Sequence, residues 1–184
     1  YLEPYNTESE GGILRCDDMG KNCEIWSRGM RNPWDIAFDD TFTWTSSDND
    51  DGPEHDRVLS PFYGSHWGKK HAWSYSWTGE NNPCTGQIST VFSNANGSGV
   101  GVIYYTAEHF PPEWRNGFFM GDSDGEKVYF YRYEWEGAHP KVTLKPFMWT
   151  PAIGKGSLFM PTDVEAGPDG ALYVVGWGST YGSK

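Results

Sequence analysis

Helical patterning and cationic side chains are both scarce in this chain, and each shortage removes a class of protein. No segment carries a convincing apolar stripe at helical spacing. The best candidate, residues 111–119, is short and contains Gly117, which argues against a helical bundle. Lys and Arg number 14 against 25 Asp and Glu, a net charge of −11. Phosphate backbones and anionic lipid surfaces repel such a chain, so no nucleic-acid partner is expected. No apolar run is long enough for a signal peptide or a membrane helix, so no direct membrane insertion is expected. The chain begins at Tyr1 rather than Met, which reads as a processed or truncated start. Cysteine is limited to Cys16, Cys23 and Cys84, with no Cys-x-x-Cys pair and no haem-attachment pattern. A Gly-x-Ser-x-Gly elbow and a phosphate-cradling glycine loop are also missing, which leaves hydrolase and nucleotide chemistry unsupported.

What is abundant is turn and strand material: 23 Gly, 12 Pro and 17% aromatic residues. That composition favours many short strands with tight turns. The segment Gly29–Phe38 is the clearest case. Arg31 and Asn32 form a polar pair, Pro33 fixes the backbone, and Trp34, Ile36 and Phe38 alternate with Asp35 and Ala37. This period of two predicts a buried strand. A similar unit returns at residues 161–175, where Pro161-Thr162-Asp163-Val164 precedes the turn Gly167-Pro168-Asp169-Gly170 and an aromatic-containing strand. Repeated strand–turn–strand units mark radial or stacked β architectures. Asp35 and Asp163 stand 128 residues apart, about three blades at roughly 40–50 residues each. A closed ring needs about four to eight. Residues 1–184 are therefore expected to form a partial propeller domain that needs upstream blades.

Further hairpins are expected at 11–26, 33–47 and 117–133, a strand at 99–106 and an outer strand at 141–149, with residues 58–87 irregular. Cys16 and Cys23 flank the turn residues 17–22, and a cross-strand disulfide there is geometrically reasonable. Cys84 is left to pair outside the chain or to stay free. These cysteines favour a secreted, periplasmic or otherwise extracytoplasmic location. Asp48, Asn49, Asp50, Asp51, Glu54 and Asp56 crowd one loop. They are either a solvated acidic face or oxygen ligands for a hard cation. Their spacing is not that of an EF-hand. Trp67, Trp73, Tyr75 and Trp77, with Asn81 and Asn82, either pack between blades or hold a sugar. Glu108 and His109 read as a surface turn.

Gly11-Gly12-Ile13-Leu14-Arg15, Arg31-Asn32-Pro33, the 48–56 loop, Tyr63-Gly64-Ser65-His66-Trp67-Gly68 and Asp163 with Gly167–Gly170 occur here in one order. In that order they resemble the soluble quinoprotein glucose/sorbosone dehydrogenase-like family, and most closely the domains described as membrane-bound-dehydrogenase type. The resemblance runs from about Gly12 to Gly176. It implies an all-β fold, a fragment of about three to four blades of a six-bladed β-propeller. It also implies oxidation of a sugar or alcohol by hydride transfer to pyrroloquinoline quinone (PQQ), assisted by calcium. Carried over by position, Arg31 and Asn32 would touch the quinone, Arg31 as a bidentate clamp on a carboxylate. Calcium would sit near Asp50 and Asp51. The family's catalytic base is a His on an earlier blade, so no catalytic residue is named here. The family's basic residues before the last Asp-Val strand are replaced by Phe159-Met160-Pro161-Thr162, and residues 122–125 lack its Lys. For a ligand with three carboxylates these are large electrostatic losses. They keep open a non-catalytic propeller that binds carbohydrate or serves protein assembly.

Overall fold

Short runs of aromatic and β-branched residues, broken by Gly, Pro and Asp, favour short pleated strands over longer elements. The computed structural model describes residues 11–30, 32–41, 43–48, 56–67, 94–95, 99–137, 139–149 and 159–178, and only the backbone course of 43–48, 56, 66, 94–95 and 139. These residues form fifteen strands: β1 (Gly11–Arg15), β2 (Glu24–Met30), β3 (Ile36–Phe38), β4 (Thr43–Asp48), β5 (Asp56–Leu59), β6 (Ser65–His66), β7 (Asn94–Ala95), β8 (Gly99–Tyr105), β9 (Gly117–Asp122), β10 (Lys127–Tyr131), β11 (Tyr133–Glu136), β12 (His139–Val142), β13 (Lys145–Trp149), β14 (Met160–Ala166) and β15 (Leu172–Trp177). Among them is one 3-10 turn, Pro112–Trp114. Two sheets are four-stranded, ordered β3-β4-β5-β7 and β8-β9-β10-β13. Pairs β14-β15 and β11-β12 and the set β1-β2-β6 complete the fold.

The sheet β8-β9-β10-β13 is buried on both faces, and strand alternation divides its side chains between two cores. Val102, Phe118, Met120, Tyr129 and Tyr131 pack with Met30, Ala37, Val58, Leu59 and Trp67. Tyr105, Phe119, Val128 and Phe130 pack with Val164, against Leu172 and Val174. The 3-10 turn closes the second core: Trp114 lies edge-on to Phe130 at 5.4 Å and to Phe147 at 5.2 Å. Such aromatic pairs add about 0.5–1.5 kcal/mol each beyond simple burial.

Contacts between sheets fix their direction. The Asp35 carboxylate accepts from the Val102 amide at 2.9 Å. One turn further along, the Tyr133 hydroxyl donates to Asp39 at 2.7 Å. On the other side Gly101 lies against Asp163, and the Tyr105 hydroxyl donates to the Gly170 carbonyl at 2.5 Å. β3, β8 and β14 therefore run the same way side by side without sharing a ladder. This is how the inner strands of successive propeller blades are arranged.

The hairpins expected from sequence are present, with differences that have physical causes. Trp34, Ile36 and Phe38 do not face inward: they are 54%, 37% and 60% exposed, while Ala37 is buried. Asp35 must reach the Val102 amide, and the two-residue period then turns positions 34, 36 and 38 outward. Ile36 and Phe38 line, with Ile13, Leu14, Arg15 and Trp26, an apolar groove of about 130 Å³. β5, Asp56–Leu59, runs from the end of the acidic loop into the stretch 58–87 read as irregular, with the Arg57 guanidinium donating to the Trp67 carbonyl at 2.9 Å. The outer strand at 141–149 is two, β12 and β13. Cys16 and Cys23 are joined by a disulfide across the β1–β2 hairpin. Asp17 caps that turn by accepting from the Met19 and Lys21 amides and the Asn22 side chain. Cys84 lies outside the described residues.

Two substitutions test this arrangement. A Cβ on Gly101 would fall 2.0 Å from an Asp163 carboxylate oxygen and 2.8 Å from its Cα. Gly101→Ala is expected to cost about 1–3 kcal/mol through overpacking of the β8–β14 seam, measured by denaturant unfolding. Replacing Cys16 and Cys23 by Ser should lower stability by about 2–3 kcal/mol, since the cross-link no longer restricts the unfolded chain. An unchanged midpoint would contradict either expectation.

Candidate functional site

Parallel inner strands give the molecule two unlike faces. One gathers the N-terminal ends of β3, β8 and β14 and the turn between β9 and β10. The strand ends joined by the 49–55 loop, Asp48 and Asp56, open toward it as well, because β4 runs antiparallel to β3. The other face gathers the β3–β4 turn, the segment from β8 to β9 and the β14–β15 turn.

On the first face, β2 ends at the fully buried Met30 and the chain turns through Asn32-Pro33-Trp34 into β3. Gly29, at φ 79°, makes the preceding bend, a conformation that favours glycine. Asn32 is exposed there. Both oxygens of Asp35 are engaged by backbone donors, Ile36 at 2.7 Å and Val102 at 2.9 Å. Val102 is available because the β8–β9 register shifts between Gly99 and Val102, a bulge that places two residues opposite Gly121.

Asp122 stands at the end of β9 beside Gly99. It is fully buried; one oxygen accepts from the Gly125 amide at 2.9 Å, and Oδ2 has no hydrogen-bond partner. Burial pushes its carboxyl above the ordinary value of 3.8, a shift the Gly125 bond and Lys127 only partly oppose. Gly125 is required because a Cβ there would lie 2.2 Å from that Oδ2. Gly121, one residue earlier than Asp122, abuts Val100 and Pro161, so this turn touches the next blade. Met160 and Pro161 are buried, and the Thr162 hydroxyl donates to the Val175 carbonyl at 3.3 Å. The apolar replacements noted in the sequence are thus packing residues of the seam.

The opposite face is closed by hydroxyl–carboxylate pairs. Tyr133 bridges Asp39 and Thr41, and Tyr173 donates to Asp169 at 2.9 Å. The His109 ring lies over Gly170, so the segment read as a surface turn is a blade contact. Burial, then the Asp39 bond and charge, raise the Tyr133 hydroxyl above its ordinary range, and the Thr41 bond opposes them.

Of the residues singled out by sequence, Asn32 sits on the first face. Arg31, Asp50 and Asp51 lie outside the described residues, as do Trp73, Tyr75, Trp77, Asn81 and Asn82. Trp67 is 1% exposed and donates from its indole to Ser27 and Ser65, so it packs and offers no sugar-stacking surface. Among the described residues no group of three or more His, Cys, Asp or Glu is placed to hold a metal. Sequence reading missed Asp122 as a buried acid. The pattern Asp122-x-x-Gly125 signalled the turn but not its burial.

Comparison with known proteins follows the same lines. Residues 4–180 match the family model described as Domain of unknown function (DUF7133). The chain belongs to this family. It is 28% identical over 169 residues to the aldose sugar dehydrogenase YliI of Escherichia coli K12, covering 86% of this chain and 42% of that protein. The apo form of the soluble aldose sugar dehydrogenase from Escherichia coli superposes with a TM-score of 0.62 at 24% identity, covering 90% of this chain and 51% of that one. An oxidoreductase of glucose dehydrogenase type from Thermus thermophilus gives 0.59 at 19% identity, over 82% and 41%. The chain thus spans about half the length of these relatives or less. The resemblance read from sequence holds, and the fold is that of part of a six-bladed, all-β propeller. β3-β4-β5-β7 and β8-β9-β10-β13 are two full blades, and β1-β2 and β14-β15 belong to the blades on either side.

Asp122 yields a pH test. Its carboxyl is raised in the folded state, so between 3.8 and that raised value the folded protein holds the extra proton. Stability contributed by this group therefore falls as pH rises through that window and stays lower above it. In a chelator, Asp122→Asn should match wild type in acid and melt higher at neutral pH. Equal melting-temperature differences in acid and at neutrality would contradict this.

Proposed function

We propose that this chain is the quinone-facing half of a PQQ- and calcium-dependent sugar or alcohol dehydrogenase, completed by further blades or by another chain. The observation that carries the proposal is the likeness to an aldose sugar dehydrogenase across 86% of the chain, supported by Asn32 and Pro33 at the face where inner strands begin. PQQ when bound supplies a two-electron acceptor, and calcium a Lewis acid that polarises it. Arg31 would clamp a quinone carboxylate with its planar fork, and Asn32 would offer an amide donor and acceptor. Oxygens around Asp50 and Asp51 would hold calcium, a hard cation that prefers such ligands.

The described residues on this face fit that pairing unevenly. Its acids are Asp35, with both oxygens taken by backbone amides, the fully buried Asp122, Asp163 and the exposed Asp124, with a single ammonium near the β9–β10 turn, Lys127. A trianionic quinone would be repelled by such a surface unless a divalent cation accompanied it, so calcium would carry much of the binding. The sugar or alcohol would lie above the same face, and the base would come from outside the chain. The Cys16–Cys23 disulfide supports an extracytoplasmic site. A non-catalytic propeller for carbohydrate binding or protein assembly is the second reading. It is favoured by the buried Met160 and Pro161, which stand where cations would be expected.

Calorimetric titration of the full-length polypeptide with PQQ and calcium decides between them. Saturable, calcium-dependent binding is expected, weakened about tenfold or more by Arg31→Ala, roughly 1.4 kcal/mol or more for one charge-assisted bidentate contact. No binding at high micromolar PQQ would leave the second reading.

A further inference from the structure

We propose that Asp35 is the positioning residue of the Asn32-Pro33 turn, holding it in place through the neighbouring blade. This rests on that turn being the cofactor contact. Asp35 bridges two blades with one carboxylate: Oδ1 accepts from its own strand at Ile36, and Oδ2 from Val102 at the bulge of β8. Only Pro33 and Trp34 separate it from Asn32. Proline locks its own φ and restricts the residue before it to extended conformations. The segment from Asn32 to Asp35 therefore has few soft torsions, and a displacement at Asp35 passes to Asn32 with little damping. At its other end the turn leaves Met30, fully buried in the first core. Asn32 and Pro33 are thus tied to an anchor, Asp35, that is a side chain of the same face.

Asp163 shows that the local bond alone does not make this anchor. It has the same local bond, Oδ1 to the Val164 amide at 2.9 Å, and it too meets β8, at Gly101. On β14, however, the preceding residues Met160 and Pro161 are packed into the seam. Before β3 the position matching Met160 is the polar Asn32, which is exposed. The carboxylate anchor at Asp35 therefore serves an exposed polar turn, and the one at Asp163 serves packing.

The test uses the full-length polypeptide with Asp35→Ala, Asp35→Asn and, from the opposite face, Asp169→Ala. Two quantities are read: PQQ affinity with calcium present, and amide hydrogen exchange of peptides covering 29–36. Asp35→Ala should weaken PQQ binding and speed exchange over 29–36, each by about tenfold or more. Asp35→Asn keeps one acceptor oxygen and should fall between. Asp169→Ala should lower the melting temperature while leaving affinity and exchange over 29–36 at wild-type values. Unchanged exchange over 29–36 in Asp35→Ala overturns the proposal, as does an equal loss of affinity in Asp169→Ala. A wild-type protein that binds no PQQ overturns the cofactor role along with the quinoprotein reading. Exchange over 29–36 then decides by itself whether Asp35 holds the turn.

Discussion

The face where the inner strands begin depends on how β8 is held between its neighbours. A strand in the middle of a blade stack cannot hydrogen-bond to the inner strands beside it through a ladder, since those belong to other sheets. Packing alone would let them slide. Here the bulge at Val100–Gly101 frees one backbone donor, Val102, and Asp35 takes it. On the other side Gly101 has no side chain, and Asp163 fills that space. A hydrogen bond to a charged acceptor is worth about 1.5–3 kcal/mol. It is also directional, so it fixes translation along the strand where apolar contacts do not. Tyr105 at the end of β8 makes a second lock to Gly170 of the β14–β15 turn, and Tyr133 of β11 holds Asp39 just beyond β3.

Much of this was legible in the amino-acid order. The strands at 99–106, 117–121 and 126–133 were legible as short runs of aliphatic and aromatic residues, the last two split by the turn Asp122–Gly125. The Cys16–Cys23 bridge was legible because the turn between them is short and rich in Asp, Gly and Asn. The direction in which β3 points was not. Trp34, Ile36 and Phe38 read as inward-facing because they are large and apolar. What decides the strand's register is one polar side chain, Asp35, and its partner lies 67 residues away. Long-range hydrogen bonds leave no periodicity behind. The short strand β5 was missed for a related reason: its burial includes an arginine, Arg57, satisfied by the Trp67 carbonyl.

The candidate site was legible in composition and opaque in burial. Asn32 was marked by its place before a proline at a strand mouth, and it lies on the face where inner strands begin. Asp122 looked like one more turn acid in a chain with many. Only the structure shows that it is fully buried with one oxygen left without a partner. Burial of a charge depends on what packs over it, here the neighbouring strand and the Gly121 contact with Pro161, and no local pattern carries that.

The two faces use the same residue types to opposite ends. On the far face, Asp39 and Asp169 each accept from a Tyr hydroxyl as well as from a backbone amide. On the near face, Asp35, Asp122 and Asp163 accept from backbone amides. Amides stabilise a carboxylate without neutralising it, so negative charge accumulates where the strands begin. That charge opposes an anionic ligand unless a cation lies between them. A propeller of this family that binds a quinone through this face must therefore bind it together with a metal. One that has lost the quinone would keep a face suited to neutral or cationic partners.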